Sequence, residues 1–209
     1  VSGDDRVLMV GVRVAGRRAL VVGGGPVATR RARRLAEAGA AVTVVAPDAT
    51  HELQALADVW HAREYRSGDI EGVVLAVAAT GDAEVDARVV ADGEAAGVWV
   101  NHAGDWTAGT VLVPAVVSEG GVTVVATTSG RSPALARWLV EEIGRELLPV
   151  TAEAAALMGR LRAEARAAGG TAGTASAWRA ALDEGLVDLL RRGDVDGAEA
   201  LVRRHLRRG

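Results

Sequence analysis

Short apolar runs alternate with longer amphipathic stretches over the first half of the chain. Ala19–Val22 is an apolar run stopped by three glycines, the pattern of a strand buried on both faces of a parallel sheet. Val42–Val45, the run from Gly72 to Thr80, and Val98–Asn101 repeat it. The segments between them have helical spacing. After the glycines, Val27, Leu35 and Ala38 share one helical face, while Arg30, Arg31, Arg33 and Arg34 fall largely on others. Gly39 stands where that helix needs a left-handed residue to end. Asp82–Gly97 is a second helix that also closes on glycine. Strands alternating with helices predict a parallel α/β sheet.

The pattern changes beyond residue 110. "TVLVPAVV" and "GVTVVATT" read as strands joined by the turn-like "SEGG", with no helix between them. They form a hairpin or pair with another chain. "SGRSPALARWLVEEIGREL" follows as a helix, with Ser132 as N-cap and Pro133 at the first helical position. Pro149 is expected to break the chain, and from Thr151 onward the pattern is helical, interrupted by the loop-like "AAGGTAGTAS".

Composition narrows the chemistry. The 209-residue chain is 49% hydrophobic, enough for a core, yet it has no Phe and one Tyr, so Val, Ala and Leu must fill the interior. All 24 basic residues are Arg, and a net charge of −3 argues against a general nucleic-acid binder. The lack of Cys excludes disulfides, thiolate catalysis and Cys-ligated metals. No two of His51, His61, His102 and His205 stand at helical ligand spacing, so no fixed metal site is indicated. No apolar run is long enough to span a bilayer, and the acidic "VSGDDRVLMV" is unlike a signal peptide. The expectation is a cytoplasmic protein with no membrane or nucleic-acid partner.

Gly23, Gly25 and Ala28 fit G-x-G-x-x-A, between a strand and a helix and ahead of a second strand. The first small residue permits the tight turn. The second lets backbone N–H groups approach a pyrophosphate, and the third lets helix pack on strand. Pro26 and Val27 open the helix, whose N-terminus favours an anion. Asp48 lies just beyond Pro47, near the place of a ribose-binding acid, or else it is a cap or loop residue. No Arg follows the second strand closely, which leans to NAD over NADP. The competing reading is a tight βα turn that binds nothing.

The segments "VVGGGPVATRRARRLAEAGAAVTVVAP", "AAT", an Asn-led loop ending in "VP", and "TTSGRSPALARWLVEEI" together resemble the precorrin-2 dehydrogenase family, the dehydrogenase/chelatase part of siroheme synthase. The likeness runs over residues 12–148, with "SGRSPALAR" its most specific part. It implies a Rossmann-like NAD-binding domain at 1–113, a small α/β dimerisation domain at 114–149 and a helical C-terminal domain at 150–209. It also implies a homodimer that oxidises precorrin-2 to sirohydrochlorin with NAD, and in some members inserts ferrous iron. By the same likeness Gly23, Gly25, Pro26, Val27, Pro47, Asp48 and Thr80 hold the cofactor. Asn101, Ser129, Arg131, Ser132 and Arg137 hold the substrate, a polycarboxylate that arginine forks suit. Arg137 reads equally well as part of a solvated helix face.

The family places a catalytic Asp three residues after the Asn that ends the strand. Here that place is Gly104, with Asp105 next. Asp105 reaches the site through a loop made permissive by Gly104, or His102 supplies or shares the base, or the group is lost. Trp106 walls the pocket or is simply buried. Two rival functions remain: a tetrapyrrole chelatase with little dehydrogenase activity, and a non-enzymatic NAD-sensing module.

Overall fold

Valine-rich runs are stiff at χ1 and suit a pleated, buried surface. Five such runs build one sheet in the computed structural model, which describes residues 7–169 and 173–207. Most of the acidic start and the middle of "AAGGTAGTAS" lie outside the described residues. The chain divides into two units, Val1–Val113 and Pro114–Gly209.

In the first unit β1 (Arg18–Val22) pairs with β2 (Ala41–Val45) on one side and β4 (Leu75–Ala78) on the other. β3 (Val59–His61) flanks β2, and β5 (Trp99–His102) flanks β4, all in parallel. The order is β3-β2-β1-β4-β5, so it reverses between β1 and β4. That reversal leaves a crevice at the strands' carboxyl ends, where ligands of open α/β sheets bind. Burial on both faces explains the unbroken apolar runs. Leu20 and Val22 pack with Val89 and Val100, and Val21 packs with Ala28, Ala32 and Val44.

The helices α1 (Pro26–Glu37), α2 (His51–Leu56) and α3 (Ala83–Ala96) complete this unit with a 3₁₀ turn at Ser67–Ile70. Gly39 is left-handed at φ 79°, as the sequence requires. α3 is capped by the Asp82 carboxylate, which accepts from the Glu84 and Val85 amides, and it closes on left-handed Gly97. The buried face of α1 differs from expectation. Ala28, Thr29 and Ala32 are buried, whereas Val27 and Ala38 are exposed. The tight turn from β1 brings α1 onto the sheet on small residues, which leaves the branched Val27 outside. α2 and β3 are too short for periodicity to reveal, and the expected strand from Gly72 to Thr80 contracts to β4.

In the second unit β6 (Ala115–Glu119) and β7 (Val122–Ala126) form an antiparallel hairpin. Its turn is made by left-handed Gly120 and Gly121. The 35-residue helix α4 (Pro133–Ala167) packs on both strands. The second half of α4 packs Val150, Leu157 and Leu161 with α5 (Ala175–Asp183), α6 (Leu186–Arg191) and α7 (Val195–Leu206). α4 continues through Pro149, contrary to the expected break. Buried Leu148 and Val150 flank the proline and hold the helix on both sides. Beyond it, the Thr151 hydroxyl donates to the Leu147 carbonyl at 2.8 Å. Packing here outweighs the lost N–H. The boundary expected at 149/150 therefore falls inside one helix. Among the described residues, no helix is long and apolar enough to cross a membrane.

Candidate functional site

The glycine turn stands at the carboxyl end of β1, and each glycine is needed for a different reason. Gly23 has φ 119°, and a Cβ there would lie 2.2 Å from the Ala79 carbonyl oxygen. Gly24 faces the chain after β2, where a Cβ would lie 1.7 Å from the Asp48 carbonyl oxygen. Its own carbonyl accepts from the Thr50 amide at 3.0 Å, which ties the two turns together. At Gly25 a Cβ would meet no atom within 4 Å, so the third glycine borders open space. Gly25 is the N-cap of α1 and provides no side-chain cap. The first-turn amides are left for another acceptor, at the helix end that favours anions.

A cleft of about 540 Å³ opens over these glycines. Pro47, Asp48 and Thr50 line it on the β2 side, Glu64 and Tyr65 from the chain after β3, and Thr80 from the end of β4. Asp48 is exposed and does not cap α2; that cap is Thr50, whose hydroxyl accepts from the Leu53 amide. The Tyr65 hydroxyl donates to Asp92 at 2.9 Å. Burial, and then the Asp92 contact, push that phenol's pKa up. Behind Thr80 sits Asp86, 4% exposed, whose Oδ1 accepts from the Thr80 amide at 3.0 Å and the Thr80 hydroxyl at 2.7 Å. Open space beside Gly25, uncapped amides and carboxylates flanking the cleft fit a dinucleotide.

An NAD(P)-binding family profile (NAD_binding_7) matches residues 10–115, just over half of the chain. The chain belongs to this NAD(P)-binding family. A siroheme synthase from Ectopseudomonas mendocina is 41% identical over 133 residues, 63% of this chain and 29% of that protein. One from Pseudomonas entomophila is 38% identical over 159 residues, 74% and 34% of the two chains. One from Chromobacterium violaceum is 42% identical over 125 residues, 58% and 27%. The chain thus spans about a third of the length of these curated relatives. Among solved structures, "SirC, precorrin-2 dehydrogenase" shares the fold at a TM-score of 0.70 and 24% identity, over 95% of this chain and 98% of that one.

Of the residues expected at the NAD(P) cofactor, Gly23, Gly25, Pro47, Asp48 and Thr80 line one cleft; Pro26 and Val27 are exposed in the first turn of α1 and do not line it. Gly24, Glu64, Tyr65 and Asp86 were not anticipated. Three consecutive glycines were the signal for Gly24. The other three come together only when β3, β4 and α3 are in place.

The loop after β5 is closed at its neck. The Val100 amide donates to the Thr110 hydroxyl at 2.8 Å, and the Val111 amide donates to the Val100 carbonyl at 3.1 Å. A Cβ on Gly109 would lie 2.5 Å from that same carbonyl oxygen. Asn101 is buried, and its amide donates to the Val111 carbonyl at 3.1 Å, so it braces the loop. His102 Nδ1 accepts from the Asp105 amide at 2.9 Å and the Gly104 amide at 3.2 Å. Both donors point at one nitrogen, so in the neutral ring the proton sits on Nε2. Asp105 Oδ1 accepts from the Thr107 hydroxyl at 2.7 Å and amide at 2.8 Å, and these bonds hold the Asp105 carboxyl below its usual range. Trp106 is exposed.

Ser129, Arg131, Ser132 and Arg137 lie in the second unit. Ser129 is left-handed at φ 50°, and Ser132 caps α4 by accepting from the Leu135 amide at 3.2 Å. Arg131 is exposed, and Arg137 pairs with Glu141 at 2.8 Å on an exposed helix face.

Proposed function

We propose that the chain is an NAD-dependent dehydrogenase that converts precorrin-2 to sirohydrochlorin, acting as a cytoplasmic homodimer. The observation that carries this reading is the glycine cradle with open space at Gly25, on a chain whose relatives are siroheme synthases. The likeness to SirC in fold adds support. The reaction removes a hydride and a proton from the tetrapyrrole and yields the product, NADH and H⁺. The bound nicotinamide supplies the hydride acceptor. Asp48 and Glu64 support NAD over NADP, since the cleft has carboxylates and no arginine in its lining to meet a 2′-phosphate.

Gly23–Gly25 would hold the pyrophosphate and Asp48 the adenosine ribose, which would leave Thr80 to the nicotinamide nucleoside. His102 offers Nε2–H as a donor rather than a base, because its other nitrogen is taken by two amides. Asp105 is then the proton acceptor, through the carboxylate oxygen that Thr107 leaves free. Its depressed pKa keeps it ionised but makes it a weak base, which favours passing the proton on to water. Arg131 stands ready for a substrate carboxylate. Exposed Trp138 and Leu135 at the start of α4, with Val125 on the hairpin, supply apolar surface for a second copy.

The test is anaerobic turnover of precorrin-2 with NAD⁺ by the wild type, Asp105→Asn, His102→Ala and Gly104→Asp. A Cβ on Gly104 meets only the His102 ring within 4 Å, at the ordinary contact distance of 3.5 Å or more. The expected order is Asp105→Asn slowest and Gly104→Asp fastest. Full activity in Asp105→Asn would remove its role, and no turnover by a wild type that binds both NAD⁺ and the tetrapyrrole would favour the chelatase reading.

A further inference from the structure

A buried carboxylate without a countercharge needs a reason to be there. Asp86 lies in the first turn of α3, 4% exposed, and its two hydrogen-bond donors both belong to Thr80. No arginine pairs with it among the described residues, although the chain is rich in arginine. The start of α3 partly stabilises the charge through its amides. The Thr80 turn is pressed against the glycine turn: a Cβ on Gly23 would lie 2.2 Å from the Ala79 oxygen and 3.0 Å from the Thr80 nitrogen. Asp86 therefore fixes the segment of cleft wall that presses on Gly23 most closely.

The hydrogen bonds also set the polarity of that wall. The Thr80 hydroxyl has Asp86 Oδ1 at 2.7 Å and the Asp82 carbonyl at 3.1 Å as acceptors for its single proton. The closer, charged oxygen takes it. The same hydroxyl accepts from the Asp82 amide at 3.0 Å. With its proton committed, Thr80 faces the cleft as an acceptor, suited to a ribose hydroxyl and unsuited to a phosphate.

We infer that Asp86 is a positioning residue for the nicotinamide half of the cleft, and that its buried charge biases binding toward the oxidised, cationic ring over the reduced, neutral one. This rests on the dinucleotide reading of the site. An enzyme that uses NAD⁺ as oxidant gains twice from such a bias, in capture of NAD⁺ and in release of NADH. Both forms carry the same pyrophosphate, so its repulsion by Asp86 cancels in the ratio of their affinities. The ratio isolates the ring charge.

The experiment is calorimetric titration of the wild type, Asp86→Asn and Asp82→Asn with NAD⁺ and with NADH, beside thermal melts. In Asp86→Asn the carboxamide oxygen can still accept from Thr80, so the fold is expected to survive. The preference for NAD⁺ over NADH should fall by roughly three- to tenfold in Asp86→Asn, the Coulomb scale of one partly screened unit charge. It should hold in Asp82→Asn, which loses an exposed charge on the same turn. If Asp86→Asn melts early, Asp86→Ser, which is smaller and keeps an acceptor, is read the same way. Equal changes for the two forms, or none, would make Asp86 purely structural and overturn the inference. A wild type that binds neither form would instead overturn the dinucleotide reading.

Discussion

Gly24→Ala and Gly25→Ala are neighbouring substitutions with opposite expected consequences. A methyl at 24 would lie 1.7 Å from the Asp48 carbonyl oxygen, half the 3.4 Å at which ordinary contact begins. The obstacle is backbone, so no rotamer relieves it. The turns after β1 and β2 must separate, and the Thr50–Gly24 hydrogen bond is lost with them. Overpacking and one lost bond together cost about 2–4 kcal/mol. For a domain of this size that is a fall in Tm of about 10 °C. A methyl at 25 meets nothing within 4 Å, and φ there is −84°, which any residue adopts. Stability should change by no more than about 0.5 kcal/mol. That methyl instead occupies the space where a pyrophosphate must approach the amides, so NAD⁺ affinity should drop by about tenfold or more. Thermal melts and calorimetric titration read the two effects separately. Wild-type NAD⁺ affinity in Gly25→Ala would refute the assignment of that space to the cofactor. A wild-type melting temperature in Gly24→Ala would refute the packing argument.

Two further outcomes follow from the packing and electrostatics. Asp69 is held below the usual carboxylate range, first by its hydrogen bonds from Arg63 at 2.6 and 2.8 Å. A depressed folded-state pKa stabilises above the unfolded value and stops stabilising as pH falls through the folded one. Arg63→Met should therefore melt below the wild type at neutral pH, with the gap closing below pH ~4; a gap that does not depend on pH would contradict this. Pro149→Ala should raise Tm, because it restores a helix N–H to the Arg145 carbonyl in a segment already helical, a gain of about 1–3 kcal/mol. A lower melting temperature would mean that the proline's shape is itself packed.

The dinucleotide unit was legible because its signals are local. Three glycines after an apolar run, and glycines at 39 and 97 closing two helices, each report a backbone conformation that few other residues adopt. What was illegible depends on partners distant in sequence. The buried face of α1 is set by how closely the glycine turn brings it to the sheet, which left Val27 and Ala38 outside. Pro149 looked like a break because local propensity disfavours it; the hairpin and the C-terminal helices that keep α4 whole were not visible in that window. Asp86 carries no local signal along the chain. Only pairing of β4 with β1 sets it behind the cleft wall. Asp105 was singled out by the family likeness alone, and the Thr107 bonds that lower its basicity belong to the folded loop.

Oxidation of precorrin-2 by NAD⁺ is read from the stoichiometry of one anaerobic reaction. Purified protein is mixed with precorrin-2 and NAD⁺ as the only oxidant, and NADH and sirohydrochlorin are followed together by absorbance. The two products are expected in equal amounts, with no sirohydrochlorin when NAD⁺ is left out. Sirohydrochlorin formed without matching NADH, or no NADH from a protein that binds both NAD⁺ and the tetrapyrrole, would contradict this.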